Sequence, residues 1–267
     1  MSDTNIDANA GATPPVQPTP ATPAIREPDH FRRVMALWVI LSIVGIVIWS
    51  FVWQFFLPTS ASDLASASNT TLIVFTDLSI PVAMFVWVFL FYSLIVFRTR
   101  GRPTEDAIPL KPRPMLQIGW LGVTSALCLF LLIWGFFAYY QTTSASSTNT
   151  LIVNVTGQQW AWTFSYPQYG ASVQGEVMEL PVNRPVQFVV TSLDVLHGFA
   201  VQALGVRVDA NPGETTTTPL TTPTQTGTYS VNCVELCGLY HSYMWQSVQV
   251  VDASSFSSWI VSQGGHP

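Results

Sequence analysis

CVELCGLYHSYMW, residues 233–245, brings two thiols, one imidazole and one thioether into thirteen consecutive positions. Thiolate, imidazole and thioether groups are the ligands that suit copper and other soft or borderline metals. An alternative is a disulfide between Cys233 and Cys237 with a histidine nearby by chance, which an oxidising compartment would permit. A disulfide would not explain His241 and Met244, and the rest of the chain has to decide between the two interpretations.

The composition of the chain indicates a membrane protein. Of its 267 residues, 49% are hydrophobic and only 9% are charged, whereas a soluble domain carries about 25% charged residues. The net charge of −5 argues against a nucleic-acid partner, because such a protein needs a basic surface. With only three cysteines, the chain is not a disulfide-stabilised scaffold.

Three uncharged apolar runs are long enough to cross a bilayer, which takes about 20 helical residues. They occupy residues 35–57, 78–97 and 117–140, within a predicted membrane domain of residues 31–142. For the second run we expect Asp77 to cap the helix and Pro81 to lie in its first turn, where proline is tolerated.

The basic residues predict the orientation of these spans. Eight of the ten Lys and Arg lie either before the first run or between the second and third. By the positive-inside rule, the N-terminus and the second loop are cytoplasmic, and the C-terminal half of the chain lies outside. This predicts a multi-pass membrane protein, and we expect the membrane to be a bacterial plasma membrane.

The N-terminal region contains two further signals. Residues 1–30 are rich in Ala, Thr and Pro, a composition that cannot bury a core, so we predict a disordered cytoplasmic tail. The small residues of SASDLASAS, after the first run, are typical of a signal-peptidase site, and cleavage there would leave two spans. Because the first run is longer than an ordinary signal sequence, we favour an uncleaved span.

Residues 149–267 form a predicted outer domain of β-structure. Short β-rich runs are separated by clusters of Pro, Gly, Asn and Thr, which is typical of an antiparallel sandwich or barrel. The runs are LIVNV (151–155), WAWTFSY (160–166), VQFVVTS (186–192), TYSVNC (228–233) and WQSVQVV (245–251). Of the four histidines, His30 lies in the tail and His266 beside the C-terminus, which leaves His197 and His241 as candidate ligands.

Four segments of the outer domain together resemble subunit II of the haem–copper cytochrome c oxidases. They are GQQWAW (157–162), DVLH (194–197), VDANPG (208–213) and CVELCGLYHSYM (233–244). The resemblance covers the outer domain and the two spans before it, and the first span is extra. It implies a transmembrane helical hairpin, plus one extra N-terminal span, followed by an all-β cupredoxin-like barrel.

The resemblance also implies a binuclear copper centre, copper A, with two copper ions. Cys233 and Cys237 would bridge both ions, and His197 and His241 would each bind one. Two weak ligands complete the set that the family implies: the Met244 thioether on the His197 side and the backbone carbonyl of Glu235 on the His241 side.

Other roles carried by the resemblance lie around this centre. Trp160 matches the tryptophan through which electrons arrive from cytochrome c, whereas we assign Trp162 to packing. The Glu235 side chain matches a carboxylate that reaches a magnesium ion shared with subunit I. Asp194 and Asp209 match acidic residues near the copper site and that interface.

The implied function is that of an electron-accepting subunit of an aa3-type or related terminal oxidase, a proton-translocating oxidoreductase. Electrons would come from cytochrome c or a small copper protein and pass to the haem of subunit I, where oxygen is reduced to water. Subunits I and III and membrane lipid are the other implied partners. The same domain in a nitric oxide reductase complex is the alternative. A blue-copper protein needs one Cys at its site, and here there are two.

Two positions depart from the family pattern. Gln117 stands where the family often has a glutamate that serves a proton-channel entrance, and glutamine cannot titrate. Glu214 follows Pro-Gly where many members have a basic residue. The outer domain carries seven acidic and two basic residues, which predicts modest electrostatic steering of a basic donor.

Overall fold

The computed structural model describes residues 29–98, 101, 113–143, 147–174 and 177–266. The predicted disordered tail, apart from its last two residues, and most of the basic second loop lie outside the described residues. Within the described part, three helices precede a β-sheet domain, which confirms the predicted fold class.

The three helices are α1 (His30–Phe56), α2 (Asp63–Val96) and α3 (Pro114–Thr143). Among the described residues, these three are long and apolar enough to cross a membrane, with mean hydropathies of 2.5, 2.2 and 2.2 over their most apolar windows. Most of their side chains are exposed within the chain, as expected of surfaces that face lipid or another subunit. The Trp38 indole nitrogen donates a hydrogen bond to the Pro81 carbonyl over 2.8 Å and so links α1 to α2.

Helix α2 begins well before the apolar run that predicted it. Its N-cap is Ser62, whose hydroxyl accepts a hydrogen bond from the Ala65 backbone, so the expectation that Asp77 caps the helix is wrong. Pro81 consequently lies inside the helix rather than in its first turn. The reason is that the polar residues before the run are compatible with a helix, since Thr70 and Thr71 bond to carbonyls one turn earlier.

The β-domain consists of two five-stranded sheets with the orders β3-β2-β1-β5-β8 and β4-β10-β9-β6-β7. Its strands are β1 (Leu151–Gln158), β2 (Ala161–Tyr166), β3 (Ala171–Gln174), β4 (Met178–Pro181), β5 (Val186–Ser192), β6 (His197–Val201), β7 (Val206–Ala210), β8 (Thr216–Thr217), β9 (Gly227–Cys233) and β10 (Trp245–Val251). Two 3₁₀ turns, Gln202–Leu204 and His241–Tyr243, and a C-terminal helix, α4 (Ala253–Ser262), complete the fold.

The pairing of the strands differs from the prediction at two places. Most neighbours are antiparallel, but β1 pairs with β5, and β4 with β10, in parallel. Parallel pairing requires the chain to cross over before returning. Between β1 and β5 in sequence, β2 and β3 lie on the other side of β1, and β4 lies in the second sheet. The chain therefore crosses over before it returns as β5.

The core lies between the two sheets. Alternate side chains of β1 are fully buried, as are the aromatic side chains of β2 that face the same interior. Phe188 of β5 and Phe199 of β6 meet across the sheets with ring centroids 5.2 Å apart. Burying each side chain of this size stabilises the fold by about 1.5–3 kcal/mol, and the resulting rigid interior supports the loops at both ends of the sheets.

The loop between α1 and α2 is fastened to the β-domain. Ala61 is fully buried; its N–H donates to the Ala203 carbonyl and its own carbonyl accepts from the Thr224 N–H, each over 2.8 Å. The Ser62 hydroxyl donates to the Leu204 carbonyl over 2.9 Å. We call this contact of residues 60–65 with residues 203–205 and 221–225 the clamp. It joins the membrane helices to the end of β6.

Candidate metal centre

The segment CVELCGLYHSYMW (233–245) connects β9 to β10. Cys233 is the last residue of β9 and Met244 immediately precedes β10. The Cys233 N–H donates to the Met244 carbonyl over 3.0 Å, so the antiparallel strands hold both ends of the loop together. This places a thiol and a thioether side by side at one end of the barrel.

Three sulfur atoms lie close together inside this loop. The Cys233 and Cys237 sulfurs are 3.7 Å apart, and the Met244 sulfur is 3.8 Å from that of Cys237. Both thiols are free and buried, and Met244 is also buried. Metal–thiolate bonds measure about 2.3 Å, so an ion between the two thiols can contact both.

Both candidate histidines point a ring nitrogen at these sulfurs. His197, the fully buried first residue of β6, has its Nδ1 3.9 Å from the Cys233 sulfur. His241, in the following 3₁₀ turn, has its Nδ1 3.6 Å from the Cys237 sulfur. The carbonyl of Glu235 lies 3.2 Å from the Cys233 sulfur. The structure thus brings all six predicted metal-site residues together.

The neighbours of His197 determine which of its nitrogens can bind a metal. Its Nε2 is 2.9 Å from a carboxylate oxygen of Asp194, which only accepts hydrogen bonds when ionised. That contact places the proton on Nε2 and leaves the Nδ1 lone pair facing the thiols, as in metal sites where a carboxylate orients the histidine. Gly157 makes room for the ring, because a Cβ there would lie 3.0 Å from the His197 and Trp162 rings.

The pKa values of two groups follow from the same arrangement. Burial raises the pKa of Asp194, but hydrogen bonds from His197 and from the backbone of Gln159 and Val195 outweigh it and hold that pKa below its usual value. Burial, together with the neighbouring Cys233 thiol, raises the pKa of the Cys237 thiol to about 12. Without a cation the Cys237 thiol is therefore protonated, and a bound metal would have to displace that proton.

The donor set fits copper. His197, Cys233 and Cys237 are the one group among the described residues whose ligand atoms all lie within 4.8 Å of one another. The buried Met244 thioether and the Nδ1 of His241 adjoin that group. Two thiolates, two imidazoles and a thioether are soft or borderline ligands that favour copper over magnesium or calcium.

Trp160 lies at the turn between β1 and β2, on the rim of this centre. Its partly buried ring packs edge-on against Tyr240 with centroids 4.8 Å apart, and Tyr240 lies between Cys237 and His241 in the loop. Trp162 is fully buried and packs edge-on against the His197 ring, with centroids 5.8 Å apart. The packing role expected for Trp162 therefore fits its position in the core.

The remaining acidic candidates lie near the surface. A Glu235 carboxylate oxygen is 3.4 Å from the Arg207 guanidinium. Asp209 is on β7 opposite Gly198, next to the metal end of β6. Glu214 lies 3.4 Å from the Asn211 side chain. The magnesium role of Glu235 stays a prediction.

Sequence reasoning did not identify two residues that position the candidate ligands without being ligands themselves, Gly198 and Gln159. A Cβ at Gly198 would lie 2.6 Å from the Val234 side chain, so a small residue next to His197 lets the Cys233 loop approach β6. Gln159 donates from its side chain to the Cys237 carbonyl over 2.8 Å. Gly198, directly after His197, was the available sequence signal for close packing, whereas nothing in the sequence marked the contact of Gln159.

Comparisons with known proteins find similar chains of one family. A protein-family model described as cytochrome C oxidase subunit II, periplasmic domain, matches residues 172–251. A probable cytochrome c oxidase subunit 2 of Rickettsia bellii is 25% identical over 254 residues, covering 84% of this chain and 92% of the relative. A cytochrome c oxidase subunit 2 of Thermostichus vulcanus is 42% identical over 109 residues, covering 41% of this chain and 32% of the relative.

Among solved structures, one similar chain is the periplasmic domain of subunit II of cytochrome oxidase of Bradyrhizobium japonicum. The two chains are 32% identical with a TM-score of 0.41, and the match covers 43% of this chain and 93% of that one.

Proposed function

The chain belongs to the family of cytochrome c oxidase subunit II, and from this membership we propose that it accepts electrons for a terminal oxidase at a binuclear copper centre. It is a subunit of an oxidoreductase complex, and the reduction of oxygen takes place in its partner, subunit I. The relatives named above are all oxidase subunits, so the nitric oxide reductase alternative gains no support.

The proposal rests on the four further donors that surround one buried pair of thiols. In the proposed site Cys233, Cys237, His197 and His241 would hold two copper ions, the histidines through Nδ1. Met244 and the Glu235 carbonyl would complete the ligand set. Bound copper would supply one-electron redox chemistry.

The protein residues contribute rigidity and exclude water. His197 and Met244 are almost completely buried, and both thiols are buried, so these four donors are shielded from water, whereas His241 is only partly buried. Strands β6, β9 and β10 are neighbours in one sheet and hold His197, Cys233 and Met244 at fixed positions at the end of that sheet. Electron transfer is fast when ligand positions change little between redox states, and weak ligands with nearby hydrogen bonds tune the potential.

Trp160 is the proposed point at which the electron arrives. Its ring contacts Tyr240, which belongs to the loop that carries Cys237 and His241. The metal loop also exposes Leu236 and Leu239, which are 82% and 81% exposed. A donor, cytochrome c or a small copper protein, would therefore meet an apolar surface here, with modest dependence on salt.

The β-domain is proposed to lie on the extracytoplasmic side, since the basic residues cluster at the opposite ends of the spans. The exposed helices α2 and α3 would then pack against subunit I, and Glu235 would reach the proposed shared magnesium ion.

Stopped-flow mixing with reduced cytochrome c tests this function. The full chain is purified in detergent, loaded with copper and compared with Trp160→Phe and with Trp259→Phe, a control at another partly buried tryptophan, on α4. We expect Trp160→Phe to slow electron uptake by about tenfold or more, which corresponds to about 1.4 kcal/mol of barrier, at unchanged copper content. Equal rates in all three proteins would contradict the role of Trp160, and no uptake in any of them would contradict the proposed function.

A further inference from the structure

Gln159 contacts both loops that supply the candidate metal ligands. It lies between β1 and β2, next to Trp160. Its backbone N–H donates to an Asp194 carboxylate oxygen over 2.7 Å, and its side-chain amide donates to the Cys237 carbonyl over 2.8 Å. One residue thus spans two segments that are far apart in sequence.

The backbone contact reaches His197. Asp194 accepts from Gln159 with one carboxylate oxygen and contacts Nε2 of His197 over 2.9 Å with the other. The Val195 N–H donates to that second oxygen over 2.7 Å. The carboxylate is therefore held on both sides, and the rotation of the imidazole ring is fixed by a chain of hydrogen bonds that starts at Gln159.

The side-chain contact reaches the thiol pair. The Cys237 carbonyl belongs to the peptide that leads into Gly238, whose φ of +119° suits glycine. A Cβ at Gly238 would lie 3.0 Å from the Gln159 amide nitrogen and 3.4 Å from the Trp160 indole nitrogen. The backbone after Cys237 is thus packed directly against Gln159, so the amide fixes the orientation of that peptide and of the thiol beside it.

We propose that Gln159 is a positioning residue that locks the Cys237 loop to the Asp194–His197 loop and thereby sets the geometry of the metal centre. This inference rests on the proposed copper site. An uncharged donor suits the position, since it satisfies the Cys237 carbonyl without placing a charge near the thiolates. Groups that orient metal ligands in this way typically contribute about 10–100-fold to metal affinity or activity.

Side-chain substitutions separate the two contacts, because the backbone N–H to Asp194 remains in every variant except proline. Gln159→Met keeps the length of the side chain and removes the amide. Gln159→Asn keeps an amide on a shorter side chain and tests partial rescue. Gln168→Met is the matched control: Gln168 is also an exposed turn residue whose amide bridges two backbone groups, the Thr150 carbonyl at 2.7 Å and the Ile152 N–H at 2.9 Å.

The measurement is made on the full chain in detergent. Copper affinity is determined by competition with a chelator, and the loaded proteins are compared by electron paramagnetic resonance and by redox titration. We expect Gln159→Met to weaken copper binding about tenfold, to change the copper hyperfine pattern and to shift the reduction potential. Gln159→Asn should lie between wild type and Gln159→Met, and Gln168→Met should match wild type.

Each outcome decides the question. Thermal unfolding of the metal-free proteins shows whether the variants fold, and a loss of affinity with an unchanged melting temperature supports positioning. If Gln159→Met keeps the affinity, hyperfine pattern and potential of wild type, the proposal is overturned while the copper site stands. If wild type itself binds no copper, the proposed function fails as well, which is a different and recognisable result.

Discussion

The two ends of strand β6 differ in what surrounds them. At its first residue, His197, the neighbouring sulfur and nitrogen atoms approach one another only to between 3.6 and 3.9 Å, and thiols make only weak hydrogen bonds. Beyond its last residue, the clamp pairs backbone and hydroxyl groups at 2.8–2.9 Å. The groups at the first end can bind a metal ion from outside the chain, whereas those at the second end are already hydrogen-bonded within the chain.

The difference shows that buried polar groups serve two purposes in this domain: the proposed metal binding at one end and attachment to the helices at the other. At the metal end, buried thiol and imidazole groups have only weak partners, so a bound cation would stabilise this end. At the clamp, every contact described above is complete, so it can fix the β-domain relative to the membrane helices. Substitutions at the two ends should therefore affect different properties.

The largest effect is expected at the metal end. Cys237→Ser replaces a soft bridging sulfur by a hard oxygen, and we expect the variant to lose the paired copper. Copper content per chain, measured by elemental analysis after loading, checks this. Cys128→Ser, at an exposed thiol on α3, is the control and should keep the wild-type copper content. Retention of both ions by Cys237→Ser would contradict the bridging role.

At the clamp we expect a loss of stability rather than of metal. Gly205 has a φ of +69°, and a Cβ there would lie 2.6 Å from the Ala65 backbone nitrogen, so Gly205→Val meets both strain and a clash. Gly213 has a φ of +77° with nothing within 4 Å of its Cβ, so Gly213→Val measures the strain alone, about 1–3 kcal/mol.

Chemical denaturation of the full chain in detergent, followed by tryptophan fluorescence, gives the two free energies of unfolding. Gly205→Val should lose clearly more than Gly213→Val. An equal loss in the two variants would mean that α2 does not pack closely on the β-domain.

A smaller effect on copper binding is expected at Asp194, which orients a candidate ligand, His197, but is not itself a ligand. Asp194→Asn removes the ionised acceptor that holds the His197 ring, and we expect copper affinity to fall about tenfold with little change in melting temperature. Chelator competition measures it. Asp209→Asn, on the adjacent strand β7, is the control, and a similar loss in both variants would argue against a specific role for Asp194.

The smallest effect concerns Glu179 on β4, away from both ends. Burial raises the pKa of Glu179 above its usual value of 4.5, so the fold favours the protonated form. Its stabilising contribution is complete below the unfolded-state pKa and is lost as the pH rises through the raised folded-state pKa.

Glu179→Gln should therefore melt at a higher temperature than wild type at neutral pH, and the difference should vanish at acidic pH. Melting temperatures across this pH range test it, with Glu214→Gln as an exposed control. A difference that is constant across the range would be inconsistent with titration of Glu179.

The metal end could be predicted from the sequence because its chemistry lies in rare side chains. Cys233, His241 and Met244 are close in sequence, and His197 follows from a matching segment. The clamp could not be predicted. Ala61 and Ser62 contribute backbone groups, a small side chain and a hydroxyl, and residues of this kind are common in loops of every sort. The apolar runs predicted three helices, but the early start of α2 depends on Ser62 as a cap and on its contact with the β-domain.

The parallel pairing of β1 with β5 escaped prediction for a similar reason. Alternation of apolar and polar residues fixes which face of a strand is buried, but not the direction of its neighbour. Gln159 was missed because its role depends on a carbonyl and a carboxylate that only the fold brings near.

Electron paramagnetic resonance of the copper-loaded full chain, with copper content measured on the same sample, tests the central claim most directly. The account predicts two copper ions per chain and a hyperfine pattern in which one unpaired electron couples equally to both nuclei. A signal from a single copper nucleus at one ion per chain, or a chain that binds no copper after its thiols are reduced, would contradict it.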